Sequence, residues 1–356
     1  MYKSGYSVLL MTIIISAAGL VLALNSLSIS TQSAKNNIDI TEFVQSKNKA
    51  RSCTEIALQK IKSYRFYGGD ETIPTQSCRI FTIKNESDGT IIHVKSGNFI
   101  METKLKQINP KIIIDYQKQI TEDVLDQNNP YLINPLALRL WLKADRAEYN
   151  DKQPVISISN STDDIINFAQ LENASELAPT LFTNVINNRP ILRFDGINDF
   201  LTSTTSSIHT TEGLSIIVVG KSNSNNTNQT YIGKFNTTTN LKEWRLQNDE
   251  FNIVNDTVTL GDPNNNTTNF KIITAIWEPN SPQLSISLNN SATYTNTGTN
   301  IIAITQEPII VGSFLQGSTG FLNGDIAELL VFNKKLTTDE LNKVRAYMNT
   351  KYQIYP

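Results

Sequence analysis

The chain opens with an apolar run from Tyr6 to Leu24, interrupted only by small or hydroxyl residues such as Ser7, Thr12, Ser16 and Gly19. That length approaches the roughly 20 residues a transmembrane helix needs. Lys3 ahead of it predicts a cytoplasmic start, with the remainder of the chain exported. A cleaved signal peptide, leaving after Val21, Leu22 and Ala23, is the alternative reading. Against it, the leader is very short and helical patterning continues past the run. Ala50, Cys53, Ala57 and Ile61 recur at three- and four-residue steps, which is one face of a helix.

Three strand-like runs follow, Arg79 to Ile83, Thr90 to Val94 and Phe99 to Leu105, separated by the turn dipeptides Asp88-Gly89 and Gly97-Asn98. Lys111 to Pro130 is polar apart from Ile112, Ile113 and Ile114, and predicts a connector. From Leu136 the pattern changes to short apolar runs between Asn-, Gly- and Pro-rich stretches. These include Leu138 to Leu142, Ile191 to Phe194, Leu214 to Val219, Thr230 to Phe235, Trp244 to Gln247, Phe270 to Trp277, Gln283 to Leu288, Pro308 to Val311 and Ile326 to Phe332. Many short strands at this spacing predict an all-β sandwich or jelly roll. Thr337-Thr338-Asp339-Glu340 then starts a helix with a capping-type signature, and Leu341, Val344, Tyr347 and Met348 form its apolar stripe.

A length of 356 residues suggests two or three domains, each able to bury its own core. The net charge of -2 provides no basic field to hold nucleic acid. Asn, Thr and Ser fill the surface, most densely from Asn223 to Asn228 and from Asp262 to Asn269. Such loops either read a glycan through their amides or are simply mobile. Two cysteines, Cys53 and Cys78, both lie in the first third; in an exported chain such a pair favours a disulfide over a redox site. With only His93 and His209 besides, no zinc or iron site is credible.

The N-terminus resembles a type IV pilin or pseudopilin. The residues that carry the likeness are the short basic leader ending in Gly5, the aromatic Tyr6, and Val8-Leu9-Leu10-Met11-Thr12-Ile13. The resemblance implies cleavage between Gly5 and Tyr6, and assembly with other pilin subunits through the N-terminal helix. Most major pilins carry a glutamate where this chain has Leu10, so the resemblance points to a minor or tip-located subunit. The C-terminal two hundred residues are similar to laminin-G-like, concanavalin-A-like domains. Leu140-Trp141-Leu142-Lys143-Ala144-Asp145 resembles their opening strand, and Arg189-Pro190 followed by Arg193-Phe194-Asp195-Gly196-Ile197-Asn198-Asp199-Phe200-Leu201 resembles their central motif. Gly324 to Phe332, with Leu336 and the helix through Tyr352, matches their close.

Within the central motif, Asp195, Asn198 and Asp199 offer the hard oxygen ligands of a calcium site. The competing and favoured reading is a tight turn, in which Gly196 supplies the unusual backbone angles and the Asp and Asn side chains bond the local backbone. Trp141, Trp244 and Trp277 sit in apolar runs, where packing into the core is expected over sugar stacking. No string of alternating carboxylates, nucleophile elbow or phosphate-binding loop occurs, so no catalytic residue is expected and the chain is read as not an enzyme.

The sequence therefore predicts a leader (1–5), a transmembrane pilin helix (6–30), a small α+β pilin-like head (31–110), a connector (111–134) and a concanavalin-A-like jelly roll ending in a helix (135–356). The expected role is a membrane-anchored subunit, extracellular or at a pilus tip, that presents a lectin-like domain to glycans or protein surfaces. A structural pseudopilin of a secretion or DNA-uptake machine is the alternative, and a membrane-anchored glycan hydrolase stands last.

Overall fold

The computed structural model describes residues 35, 38–64, 66–86, 88–108, 111–122, 125–162, 166–169, 174–204, 208, 212–224, 228–235, 242–248, 250–253, 256–259, 269–279, 281, 283–297, 307–314 and 319–356. The expected leader, the Gly5-Tyr6 junction and the expected transmembrane segment 6–30 lie outside these residues. The expectation of a fold headed by a membrane-spanning helix is corrected: among the described residues no helix is long and apolar enough to cross a membrane. Helix α1 (38–63), which lies past the segment expected to span, illustrates this among the described residues. It carries Asp39, Glu42, Lys47, Lys49, Arg51, Glu55, Lys60 and Lys62, a charge density that hydrocarbon does not accept.

In the head, α1 packs on a sheet built from β1 (Glu71–Ile73), β2 (Cys78–Ile80), β3 (Lys84–Glu86), β4 (Gly89–Ser96), β5 (Phe99–Ile108) and β6 (Lys111–Ile120). The strands are antiparallel in the order β1-β2-β4-β5-β6, with β3 on β4. The stretch from Lys111, expected as a connector, is thus the long edge strand, held to β5 along its whole length. Ala50, Cys53 and Ala57 press the helix onto Ile80, Ile92, Val94 and Met101. Cys53 and Cys78 are bridged, 25 residues apart in sequence, which ties α1 to β2.

A short turn of helix, α2 (Pro130–Ile133), leads into the larger unit. Its strands are β7 (Leu138–Lys143), β8 (Ser157–Ser159), β9 (Asn167–Ala169), β10 (Thr180–Ile186), β11 (Arg189–Asp195), β12 (Leu201–Ser203), β13 (Leu214–Ser222) and β14 (Thr230–Phe235), then β15 (Lys242–Gln247), β16 (Glu250–Ile253), β17 (Asp256–Thr259), β18 (Lys271–Glu278), β19 (Gln283–Leu288), β20 (Tyr294–Thr297), β21 (Ile309–Val311) and β22 (Asn323–Phe332). They form two eight-stranded sheets. The inner sheet runs β10-β11-β22-β13-β18-β19-β20 with β7 on β22, and the outer sheet runs β17-β16-β15-β14-β21-β12-β9-β8.

The inner sheet is buried on both faces, which is why β13 and β22 read as nearly unbroken apolar runs. Alternate residues Ile216, Val218, Leu329 and Val331 meet the outer sheet through Trp244, Leu246, Phe251 and Ile309. The intervening Ile217, Val219, Leu330 and Phe332 pack beneath α3 (Thr338–Tyr352), against Val344, Tyr347 and Met348. That helix begins with a full capping box between Thr337 and Glu340, as its sequence signature predicts, and stops where Gln353 turns left-handed. All three tryptophans are at most 1% exposed, so they are core residues and offer no stacking platform.

Cys53→Ser should lower the stability of the folded chain by about 3 kcal/mol, the order expected for closing a loop of this size. Thermal unfolding of the variant beside the oxidised parent checks this, and coincident curves would contradict it.

Candidate functional site

The central motif folds as a tight turn at the end of β11. Gly196 adopts φ +78°, and a β-carbon there would lie 2.6 Å from that of Asn323. Asp195 Oδ1 accepts from the backbone N–H groups of Ile197 (2.7 Å) and Asn198 (3.2 Å), while Asp199 Oδ2 accepts from the N–H of Asp195 (2.9 Å). Both carboxylates are thus committed to holding the backbone. Among the described residues no group of three or more His, Cys, Asp or Glu side chains could hold a metal ion. Burial pushes the carboxyl of Asp199 up to about 7, against the hydrogen bond from Asp195, which lowers it.

The outer sheet presents a second candidate. Strand alternation puts Trp244 and Leu246 in the core, so Arg245 points to the opposite face. Its cross-strand neighbours are Asn252 on one side and Gly233 on the other, and Thr257 lies beyond Asn252. Arg245 Nε and one terminal nitrogen both donate to Asn252 Oδ1 (3.3 and 3.2 Å), and Asn252 Nδ2 donates to Thr257 Oγ1 (2.7 Å). The guanidinium lies 4.4 Å from the ring centre of Phe314. No carboxylate among the described residues forms an ion pair with it, and burial lowers its pKa from the ordinary value. Two residues along β15 and on the same face, Gln247 pairs with Thr230; both are fully buried, and the Gln247 amide and Thr230 hydroxyl have no hydrogen-bond partner among the described residues. The patch therefore combines a planar cationic fork over an aromatic ring with the Asn252 amide and the Thr257 hydroxyl beside it, while Gln247 and Thr230 lie buried beneath. Such a set suits a polyhydroxylated or acidic ligand. Nothing in the sequence signals it beyond the apolar–polar alternation of Trp244-Arg245-Leu246-Gln247, because its members come from five separate segments.

A third cluster lies where the head meets the sandwich. Tyr67 to Glu71 run against the end of β7 and the turn after it. Gly68 N–H donates to the carbonyl of Asp145 (3.1 Å), and a β-carbon on Gly68 would strike the Asp145 carboxylate. Lys143 Nζ lies 2.5 Å from Asp70 Oδ2 and 3.6 Å from Asp145 Oδ1, and neither Lys143 nor Asp70 has any exposed surface. Lys351 of α3 reaches Asp145 (2.9 Å) and Glu328 (2.7 Å). Glu328 also accepts from Tyr352 (2.7 Å) and from the indole of Trp141 (2.5 Å). Beside this, Glu71 accepts from Arg146, from Tyr67 and from Lys60, the last at 3.0 Å. Four acids thus face four bases. Burial lowers the pKa of Lys143, whereas its neighbours Lys143 and Lys351 hold Asp145 well below the usual carboxylate range despite burial.

Of the remaining expected positions, the Asn-rich loops fall largely outside the described residues, as does His209. His93, in β4, is buried and bonded to Glu102 at 2.9 Å.

No protein-family profile and no curated protein matches the chain. Among solved structures it is similar to a Trypanosoma rangeli sialidase, at 8% identity and a TM-score of 0.43, over 78% of this chain and 52% of that one. It is also similar to the receptor-binding domain of botulinum neurotoxin D, at 12% identity and a TM-score of 0.39, over 61% of this chain and 54% of that one. The chain spans about half the length of these structures, and likenesses at this level carry no argument about ligand or chemistry. Sialidases, which are enzymes, stand among these structures, so the expectation that the chain is not an enzyme is not upheld, and no activity is assigned in its place.

Asp199→Asn tests the turn. Because the folded pKa of about 7 exceeds the ordinary 3.8, Asp199 favours folding below about pH 4, and that contribution is lost as pH rises to about 7. Asparagine keeps the acceptor and removes the titration. The variant should show a flatter stability–pH curve and be more stable than the parent above pH ~7. Parallel curves in denaturant titrations across this range would contradict the assignment.

Proposed function

We propose that this chain is a carbohydrate-binding β-sandwich carried on a pilin-like head and displayed outside the cell, where it attaches to glycans or to glycosylated protein surfaces. The observation that carries the reading is the Arg245 patch: a half-buried guanidinium that forms no salt bridge among the described residues and feels the Glu250 carboxylate only from a distance, backed by an aromatic ring and flanked by neutral hydrogen-bonding groups. A group of this kind retains donors for a ligand, and stacking behind it limits the entropy lost on binding. The disulfide supports an oxidising, extracytoplasmic location. Other pilin subunits and the membrane remain the proposed partners of the N-terminal region.

The rigid junction between head and sandwich favours a second reading, in which the large domain spaces or plugs an assembly as a structural pseudopilin. The two differ in what Arg245 does. Under the binding reading, Arg245→Ala weakens capture on a glycan array that includes acidic sugars by roughly ten- to a hundredfold, the worth of one or two charge-assisted hydrogen bonds, while the variant still unfolds in one cooperative transition. Full-length protein that binds no glycan, or an alanine variant that binds as tightly as the parent, would overturn the binding reading.

A further inference from the structure

We infer that Lys143 and Asp70 are joined by an amide bond that covalently fastens the sandwich to its head. The two side chains come from distant parts of the chain, one at the end of β7 and the other just before β1. Both are fully enclosed, with Nζ 2.5 Å from Oδ2. Asp70 is held for reaction. It follows Gly69, and both residues take left-handed backbone angles, φ +74° and +59°. Its Oδ1 accepts from Asn129 Nδ2 (2.8 Å) and its Oδ2 from Thr82 (2.7 Å). Two fixed donors on one carboxyl draw electron density from its carbon and are placed to stabilise the charge that develops when a nucleophile adds. A second carboxylate, Asp145, stands with Oδ1 3.6 Å from the same nitrogen and Oδ2 2.9 Å from the Lys351 ammonium. The indole ring of Trp141 lies 4.9 Å from Nζ.

The step balances without a co-reactant. A proton passes from the Lys143 ammonium to Asp70 Oδ2 along their hydrogen bond, leaving a neutral amine beside a neutral acid. In a site closed to water this neutral pair is less costly than in solution, because burial penalises the charged forms. The Nζ lone pair attacks Asp70 Cγ, the C–N bond forms, and the carbonyl electron pair moves onto Oδ1, where Asn129 donates. Asp145 takes one of the two N–H protons and returns it to Oδ2. The C–Oδ2 bond breaks, Oδ2 leaves as water with both protons, and one proton stays on the amide nitrogen. The product replaces a buried ion pair by a neutral amide, and with water excluded the reverse hydrolysis lacks its reactant.

The test is peptide mapping of the full-length chain, digested without reduction of any amide and read by tandem mass spectrometry. The expected result is a branched species containing the Asp70 and Lys143 peptides, lighter than their sum by one water, and its loss in Lys143→Arg. Recovery of both peptides unlinked from the folded parent would overturn the inference, as would an amide cross-link that joins Lys143 or Asp70 to any other residue. Because the parent alone decides, a variant that fails to fold leaves the test intact.

Discussion

Charge enclosed away from water has to be compensated, and at the junction of this molecule that requirement dictates where the parts sit. Asp70, Glu71, Asp145 and Glu328 have little or no access to solvent, nor do Lys143, Arg146 and Lys351. Moving any one of them into the interior alone would cost several kcal/mol. They are tolerable only together, and they come from both units: Asp70 and Glu71 from the head, Lys143, Asp145 and Arg146 from the start of the sandwich, Glu328 from the central strand β22 and Lys351 from the last helix. As the chain folds, before any amide forms, separating head from sandwich would leave Asp70 without Lys143 and Arg146 without Glu71. Gly68 is part of the same constraint, since a larger residue would displace the Asp145 carboxylate.

This arrangement makes the head a mount rather than a tether. Arg79 reinforces it, donating to the carbonyl of Ser161 at 3.1 Å and stacking on Tyr131 at 3.4 Å. The described polar contacts of the head reach Lys143, Asp145, Arg146, Glu148 and Ser161, while the Arg245 patch lies on β14 to β17 of the outer sheet. A patch held at a fixed position relative to its base transmits force and orientation, which suits attachment, and equally suits a spacer. The choice between those roles rests on ligand binding.

Much of the architecture was legible in the sequence. The runs Thr230 to Phe235 and Gln283 to Leu288 coincide with β14 and β19, and the Thr337 capping signature starts α3. Short strands such as β8, β9 and β12 were not, because three residues carry no periodicity. β6 escaped notice because an edge strand of a solvated sheet, Lys111 to Ile120, reads as polar connector. The turn at Asp195 to Asp199 was seen, with its tight-turn role beside the calcium one. The junction was invisible: Lys143 and Asp145 belong to a motif whose family likeness concerns the sandwich, and their partners Asp70 and Lys351 lie far off in sequence. Pairings of that range follow from the fold and leave no local signature.

The central claim, that head and sandwich behave as one body, is most directly tested by native-state hydrogen exchange at the Gly68 amide, which donates across the junction to Asp145. If the account is right, this amide exchanges as slowly as those of β22, through the same cooperative opening. Exchange orders of magnitude faster than β22, on the scale of surface turns, would show the head lifting away from the sandwich and would contradict it.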